Sequence, residues 1–291
     1  MNLGALVGKT TATLTEAGIA TARLDTGVLV EHVTGFGRMA VLTQPGQSVD
    51  FAAAAVAGLA RRRSRGEPLA YLTGSREFWS LAFQVTNETL IPRPDSELLV
   101  EAALARRGQL PERPRLLDLG TGSGCLLLAL LRELPGATGL GIDISGEAAA
   151  LARDNAIRLG LAERAGFVTA NWTDCLDANG CYHIVISNPP YISDREWSGL
   201  APGVRAFEPA RALQGGGDGL GAYRQIAPRV AGLLAPGGLA IFEIGASQAS
   251  RVTKILKAQG LTVEKPLKDL AGHDRDQPAG EPKDPRLQGV C

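Results

Sequence analysis

The chain has 291 residues, 45% of them hydrophobic, with 30 lysines and arginines balanced by 30 aspartates and glutamates. That length suits two domains with a sizeable core, and zero net charge argues against a protein whose main partner is a duplex, where phosphate neutralisation draws on a basic excess. Four cysteines, Cys125, Cys175, Cys181 and Cys291, form no CxxC pair and have no matching histidine pair, so no metal is expected and a reducing cytosol suits them. The first residues carry no continuous apolar core of signal-peptide type, and no run approaches the length of a membrane span, so the expectation is a cytoplasmic protein without a membrane partner.

Residues 1–75 read as a small helical domain. "LGALVGKTTATLTEAGI" and "ARLDTGVLVEHVTG" carry apolar residues at helical spacing and stop at Gly18 and Gly35. "SVDFAAAAVAGLARRRSRGEP" opens on Ser48 or Asp50 as a cap and ends in arginines, which favour a helix C-terminus; the run from Arg61 to Arg65 reads as a solvated helix end before it reads as an RNA contact. Residues 76–92 change period, and "REFWSLAFQV" alternates as a hairpin linker. From 93 to 277 strands alternate with helices. "RLLDLG", "TGLGIDI", "GFVTA", "YHIVISN", "GLAIFEIG" and "LTVEKP" are strands, separated by helices such as "CLLLALLREL", "GEAAALARDNAIRLG" and "LGAYRQIAPRVAGLL", the last containing Pro228. The expected class is therefore α/β, with a doubly wound, mostly parallel Rossmann-like sheet. Beyond Gly272 the chain is rich in proline, glycine and charge and is expected to be loose, with 278–291 a tail.

"LLDLGTGSGCLL" places Gly120, Thr121, Gly122, Ser123 and Gly124 between a strand and a helix, where glycine lets the backbone turn tightly against a ligand. The spacing is GxGxG, with Cys125 where the dinucleotide fingerprint has a third glycine, which fits a cofactor without a pyrophosphate. Asp143 ends the next strand at the offset at which an acidic residue meets ribose hydroxyls; capping of the following helix is the other use of such a residue, and Ser145 could serve there. Trp172 follows the next strand and either packs beside an adenine or covers the core. In "IVISNPPYIS" a β-branched run ends on Asn188, two prolines and Tyr191, which places an amide, a restricted carbonyl and a ring at a strand mouth. An open sheet binds ligands outside the carboxyl ends of its strands, so these residues should share one crevice.

"DLGTGSG" followed by an acidic strand end and "NPPY" resembles a class I S-adenosylmethionine-dependent methyltransferase acting on a planar amide or exocyclic amino nitrogen. Taken with "PLAYLTGSREFWSLAFQV", "LIPRPDSELLVE", "RAFEPARAL", "GGDGLGAYRQI" and "DLAGHDR", the chain resembles the bacterial-type peptide chain release factor N5-glutamine methyltransferases from about residue 20 to 275. The resemblance implies a helical N-terminal substrate-recognition domain and a methyltransferase sheet. It also implies S-adenosylmethionine as methyl donor, S-adenosylhomocysteine as product, and the glutamine of the Gly-Gly-Gln motif in class 1 release factors as acceptor. Where the family has Pro-Glu-Thr this chain has Pro94, Asp95 and Ser96; where it often has Asp-Trp this chain has Asn171 and Trp172; and after "HDR" the family's aliphatic strand is replaced by "DQPAGEPKDPRLQGVC", so the last sheet strand is expected to be incomplete.

An amide nitrogen is a poor nucleophile because its lone pair is delocalised. Two acceptors on its N–H groups, the Asn188 side-chain oxygen and the Pro189 carbonyl, would hold it. Pro190 restricts Pro189 to extended geometry, and Tyr191 would pack on the amide face. Positioning of this kind supplies the catalysis, and no strong base is required; His183 lies within its strand. A DNA adenine methyltransferase would share NPPY but needs a basic groove and a target-recognition domain, and neither is visible. A silent S-adenosylmethionine-binding module would be marked by an altered Asn188 or Tyr191, and both are intact.

Overall fold

The computed structural model describes residues 1–268 and 274–280 and falls into two compact units, Met1–Ser75 with Leu200–Glu208, and Arg76–Gly199 with the chain from Pro209 onward.

The first unit is helical: α1 (Leu3–Glu16), α2 (Ala22–Thr34), α3 (Arg38–Thr43), α4 (Ala53–Ser64) and α5 (Leu69–Thr73). The Asn2 side chain caps α1 by accepting from the Ala5 N–H at 2.8 Å, and Gly35, at φ 74°, takes the left-handed geometry that ends α2. Neither Ser48 nor Asp50 caps α4: Asp50 instead opens a single 3-10 turn, Asp50–Ala52, that leads into it. Apolar stripes from α1, α2 and α4 meet in two clusters, one around Leu6, Val30 and Val56 and one around Leu14, Leu29, Ala60 and Leu72. The arginine run is tied down locally. Arg63 Nε donates to the buried Asp25 carboxylate at 2.6 Å, and Arg62 pairs with Glu67.

A hairpin, β1 (Ser75–Phe78) and β2 (Leu81–Gln84), all but its first residue in the second unit, opens that unit. Its two-residue turn, Trp79 and Ser80, has positive φ at both positions, 51° and 57°, the mirror-image turn whose twist matches paired strands. The usual residues there are glycine and asparagine; here Trp79 is held by its backbone N–H to Glu97 at 2.8 Å and its indole N–H to Glu133 at 3.0 Å. Phe78 and Phe83 meet edge to face at 6.3 Å and are both buried in the main core. The hairpin is therefore part of the second unit's core as well as a connection.

Helix α6 (Glu97–Leu104) follows, then β3 (Arg115–Leu119), α7 (Cys125–Glu133), β4 (Thr138–Asp143), α8 (Gly146–Arg158), β5 (Ala165–Thr169) and β6 (Tyr182–Ser187). After β6 come α9 (Asp194–Trp197), α10 (Pro202–Phe207, which clusters with the first unit), α11 (Gly221–Leu233), β7 (Leu234–Glu243), α12 (Ala249–Ala258), β8 (Thr262–Val263), β9 (Leu267–Lys268) and β10 (Asp274–Gly280). Pro228 sits inside α11 without ending it.

The main sheet runs β5-β4-β3-β6-β7-β10-β8, with β9 also on β10. Its first five strands are mutually parallel, and β10 is antiparallel to each of its neighbours. Side chains alternate between faces: Leu116, Ile184, Ile186 and Ile241 join α6, α7 and α8, whereas Leu117, Leu119, Val185 and Phe242 join α11 and α12.

Strand β10 corrects the expectation of loose chain after Gly272. Residues 274–280 pair along the open edge of β7, with Asp276 opposite Glu243 and Ala279 opposite Ala240. Local composition misleads because the β7 edge offers a row of backbone partners, and Pro278 still uses its carbonyl, which accepts from the Glu264 N–H at 3.1 Å. The remaining tail, 281–291, and part of "DLAGHDR" lie outside the described residues.

Packing of the hairpin predicts that Phe83→Ala destabilises the full chain by about 3–5 kcal/mol. The exposed Ile157→Ala on α8 should change stability by less than about 0.5 kcal/mol. Urea unfolding of the two variants checks this; a small loss for Phe83→Ala would make the hairpin a tether without a share in the core.

Candidate active site

A crevice of about 310 Å³ opens at the carboxyl ends of β3, β4 and β6. Its floor is the glycine loop, and its walls come from Asp143 and Ile144, Asn171 and Trp172, Asn188 and Pro190, and the loop from Glu88 to Ser96.

The loop is held by backbone bonds. Gly120 and Thr121 N–H groups both donate to the Ile142 carbonyl, at 2.8 and 2.9 Å, and the Gly122 N–H donates to Asp143 at 2.9 Å. Gly120 has φ 74°, and a Cβ there would lie 3.2 Å from the Trp172 ring, so glycine is what lets that ring close over the loop. Gly124 does not line the crevice. At φ 80° it starts α7, and a Cβ there would press on Ala152 at 3.1 Å, so this glycine serves packing against α8.

Asp143 is not a helix cap. One carboxylate oxygen holds Gly122 and the other accepts from the Ser145 N–H at 2.9 Å, while Ser145 itself caps α8 by accepting from Ala148. Trp172 stands at φ 47°, rare for a bulky residue, and it both lines the crevice and packs against the core. Arg211 spans the rim, donating to the Glu88 carbonyl and carboxylate and, at 3.0 Å, to Ser145 Oγ.

Asp118 was not singled out in the sequence. It is fully buried under the loop; one oxygen accepts from Thr121 Oγ1 at 2.7 Å, and the other has no hydrogen-bond partner among the described residues. Burial pushes its carboxyl up to about 7, against the Thr121 hydrogen bond, with Asp143 pushing the same way.

The NPPY segment leaves β6 beside this crevice. Ser187 Oγ ties the strand end to the Leu119 carbonyl at 2.7 Å. The Asn188 amide donates from Nδ2 to Ser96 Oγ at 3.0 Å. Ser96 in turn donates to the buried carboxylate of Glu243, which also receives the Tyr191 hydroxyl at 3.2 Å. Burial raises the Glu243 carboxyl while its two donors pull it back down, and burial keeps the Tyr191 phenol protonated. Pro189 is buried. Tyr191 does not face the large crevice. It lines a smaller pocket of about 40 Å³ together with Glu243, and that pocket shares Leu90, Arg93, Asn188, Pro190 and Ala212 with the crevice. Beyond the motif, Ile192 pairs with Leu213 and Gly215, and Gln248 Nε2 donates to the Tyr191 carbonyl at 2.8 Å. A Cβ on Gly219 would lie 2.4 Å from that carbonyl, which accounts for a glycine in "GGGDGLG".

The structure thus gathers Gly120, Thr121, Gly122, Ser123, Asp143, Trp172, Asn188 and Pro190 around one crevice and Tyr191 around its neighbour. Sequence reading passed over Asp118, Arg211 and Glu243. Two carried a visible signal, since an acidic residue inside "LLDLG" or "LAIFEIG" interrupts a buried apolar run. His183 is structural: its Nδ1 accepts from the Arg115 backbone N–H at 3.0 Å. No described helix is long and apolar enough to cross a membrane.

Residues 5–74 match the family model of the PrmC N-terminal domain, and residues 94–218 match the methyltransferase small domain. A release factor glutamine methyltransferase of Bradyrhizobium diazoefficiens is 43% identical over 268 residues, covering 91% of this chain and 90% of that protein. One of Vibrio cholerae is 41% identical over 91% of this chain and 92% of its own length. Among solved structures, the hMettl16 catalytic domain aligns with TM-score 0.57 at 17% identity, over 81% of this chain and 83% of that one. A methyltransferase from Pyrococcus furiosus aligns with TM-score 0.50 at 14% identity, over 76% and 97%. These two share the fold.

The Asp118 environment fixes a pH dependence. A carboxyl raised on folding from the unfolded value of about 3.9 stabilises the folded chain fully below that value, and the contribution is lost as pH rises through about 7. Asp118→Asn keeps the shape and removes the titration. Urea unfolding at pH 5 and pH 8 should show a smaller loss between the two for the variant than for the wild type; equal losses contradict the assignment.

Proposed function

The chain belongs to the release factor glutamine methyltransferase family and is an S-adenosylmethionine-dependent methyltransferase, and from this we propose that it methylates the side-chain N5 of the Gly-Gly-Gln glutamine in class 1 release factors with Asn188 at the centre of the reaction. The observation that carries this reading is the junction at Asn188 and Pro190, which belong to both the large crevice and the small pocket. A donor in one and an acceptor in the other would meet there.

The residues present fit the donor. A glycine floor admits close backbone approach, Asp143 stands at the second strand end for ribose hydroxyls, and the half-buried Trp172 ring offers a flat wall for an adenine. When bound, S-adenosylmethionine supplies an electrophilic methyl group on a sulfonium and leaves as S-adenosylhomocysteine.

The chain's own part is to hold the acceptor nitrogen. With Nδ2 committed to Ser96, Asn188 turns Oδ1 away from that bond, as an acceptor for one N–H of the glutamine amide. The Pro189 carbonyl, restricted by Pro190, is the second acceptor, and the Tyr191 ring packs on the amide face. Both N–H groups are then engaged and the nitrogen lone pair faces the methyl group; as the N–C bond forms and the S–C bond breaks, the methylated nitrogen becomes strongly acidic and gives up one of its two protons to water. Holding two reactants in line supplies several kcal/mol of the barrier. The first unit recognises the release factor. It carries exposed apolar side chains at Leu24, Met39, Leu42 and Phe51, in keeping with a protein-binding role.

Asn188→Ala should leave S-adenosylmethionine affinity nearly unchanged and collapse turnover on a purified release factor; near-native turnover at saturating substrate removes the mechanism. Asp143→Ala should weaken cofactor binding by about 1.5–3 kcal/mol, read by calorimetry, because it removes both the ribose acceptor and the brace on Gly122. Leu24→Asp with Leu42→Asp should raise KM for the intact release factor and leave turnover of a short Gly-Gly-Gln peptide alone; equal effects on both would place recognition elsewhere. Labelling of duplex DNA in preference to a release factor would overturn the function.

A further inference from the structure

Glu243 ends β7 after a wholly apolar run and is 2% exposed. A carboxylate in such a place persists where donors meet it. Ser96 Oγ donates to one of its oxygens and the Tyr191 hydroxyl to the other, and the Tyr223 hydroxyl donates to its backbone carbonyl at 2.7 Å, which pins the strand end. A serine hydroxyl has a single proton. With that proton given to Glu243, Ser96 Oγ is left as an acceptor, and it receives Asn188 Nδ2. An asparagine amide is nearly symmetrical in shape, so the network it joins decides which end is oxygen. Asp276 stands across the strand pair from Glu243, and Asp95 and Arg275, joined at 3.3 Å, complete its charged surroundings.

We propose that Glu243 is a positioning residue for methyl transfer: through Ser96 it sets the orientation of the Asn188 amide, and directly it holds the Tyr191 ring. One carboxylate thereby fixes both the acceptor of the substrate N–H and the wall behind the substrate amide. This rests on the reading that Asn188 holds the glutamine. Glu243 borders the small pocket, and it acts on the glutamine amide through Asn188 and Tyr191, the residues that hold it. The alternative is a purely structural acid that completes the β7 end, whose loss would lower stability without a specific effect on the chemical step.

The test is Glu243→Gln in the full chain, assayed with labelled S-adenosylmethionine and a purified release factor. A neutral amide keeps the volume but forces one of the two hydrogen bonds to reverse or fail. Single-turnover kcat should fall at least about tenfold, with the calorimetric affinity for S-adenosylmethionine within about twofold of wild type. Ser96→Ala, which leaves the carboxylate in place, should reproduce most of that loss, and the double variant should be no slower than the slower single one, as for two members of one chain of contacts. Glu243→Gln turning over at the wild-type rate overturns the proposal. So do additive losses in the double variant. Should Glu243→Gln fail to bind cofactor at all, a wild-type kcat for Ser96→Ala overturns it, and a reduced kcat with intact cofactor affinity sustains it. A wild-type chain that leaves the release factor unlabelled overturns the functional reading itself, and that result is distinct from every variant outcome.

Discussion

The hydrogen bonding of β3 between β4 on one side and β6 on the other is the constraint on which the site depends. Parallel strands bring their carboxyl ends to one edge of the sheet, and crossovers that run to opposite sides of a central strand leave a cleft above it. The glycine loop leaves β3, Asp143 closes β4 and Asn188 follows β6, so residues far apart in sequence arrive at one height. Ser187 reinforces this by bonding to Leu119 at the same edge. Shifting any one of these registers by a residue would turn the alternating side chains to the wrong face, which explains why the apolar sorting on the two sheet faces is so strict.

The second unit accepts a set of costly local choices. Trp79, Ser80 and Trp172 sit at positive φ, and Asp118, Glu243 and Asp276 are buried carboxyls. The strained backbone positions are tolerated because neighbours determine them. The hairpin turn is held by Glu97 and Glu133, and Trp172 by its packing over Gly120. Asn155, itself buried, bridges the hairpin and the glycine loop: it exchanges hydrogen bonds with the Gln84 backbone and donates to the Ser123 carbonyl. Of these residues, Trp172 lines the crevice and Glu243 the small pocket beside it, the places where strain and burial can serve a preorganised site.

Much of this was legible in the chain itself. The helix stops at Gly18 and Gly35, the alternation of strand and helix, the glycine loop and the NPPY strand mouth all follow from short-range rules of spacing and backbone freedom. What escaped was set by partners distant in sequence. Short helices such as α3 and α5 carry too few turns for a periodic pattern. Gly124 looks like its neighbours in the motif, yet its use depends on Ala152. Glu243 acquires meaning from Ser96, 147 residues earlier. Residues 274–280 have the composition of a loop, and only the open edge of β7 makes them a strand.

That late strand has a consequence for how the sheet comes apart. Strand β8 reaches the sheet through β10, as does β9, so these segments form one cooperative flap hinged on the β7–β10 ladder. Pro278, whose carbonyl faces Glu264, leaves the β8 side of β10 one donor short, and Asp276 places a carboxyl with no hydrogen-bond partner among the described residues directly across from Glu243. Sub-globular openings begin where such ladders are weakest. When the flap lifts, water reaches Glu243 from the side of the sheet opposite β6. Exchange of amide hydrogens along β7 and β10 therefore reports, from the far edge of the molecule, on how long the asparagine at the heart of the crevice keeps its orientation.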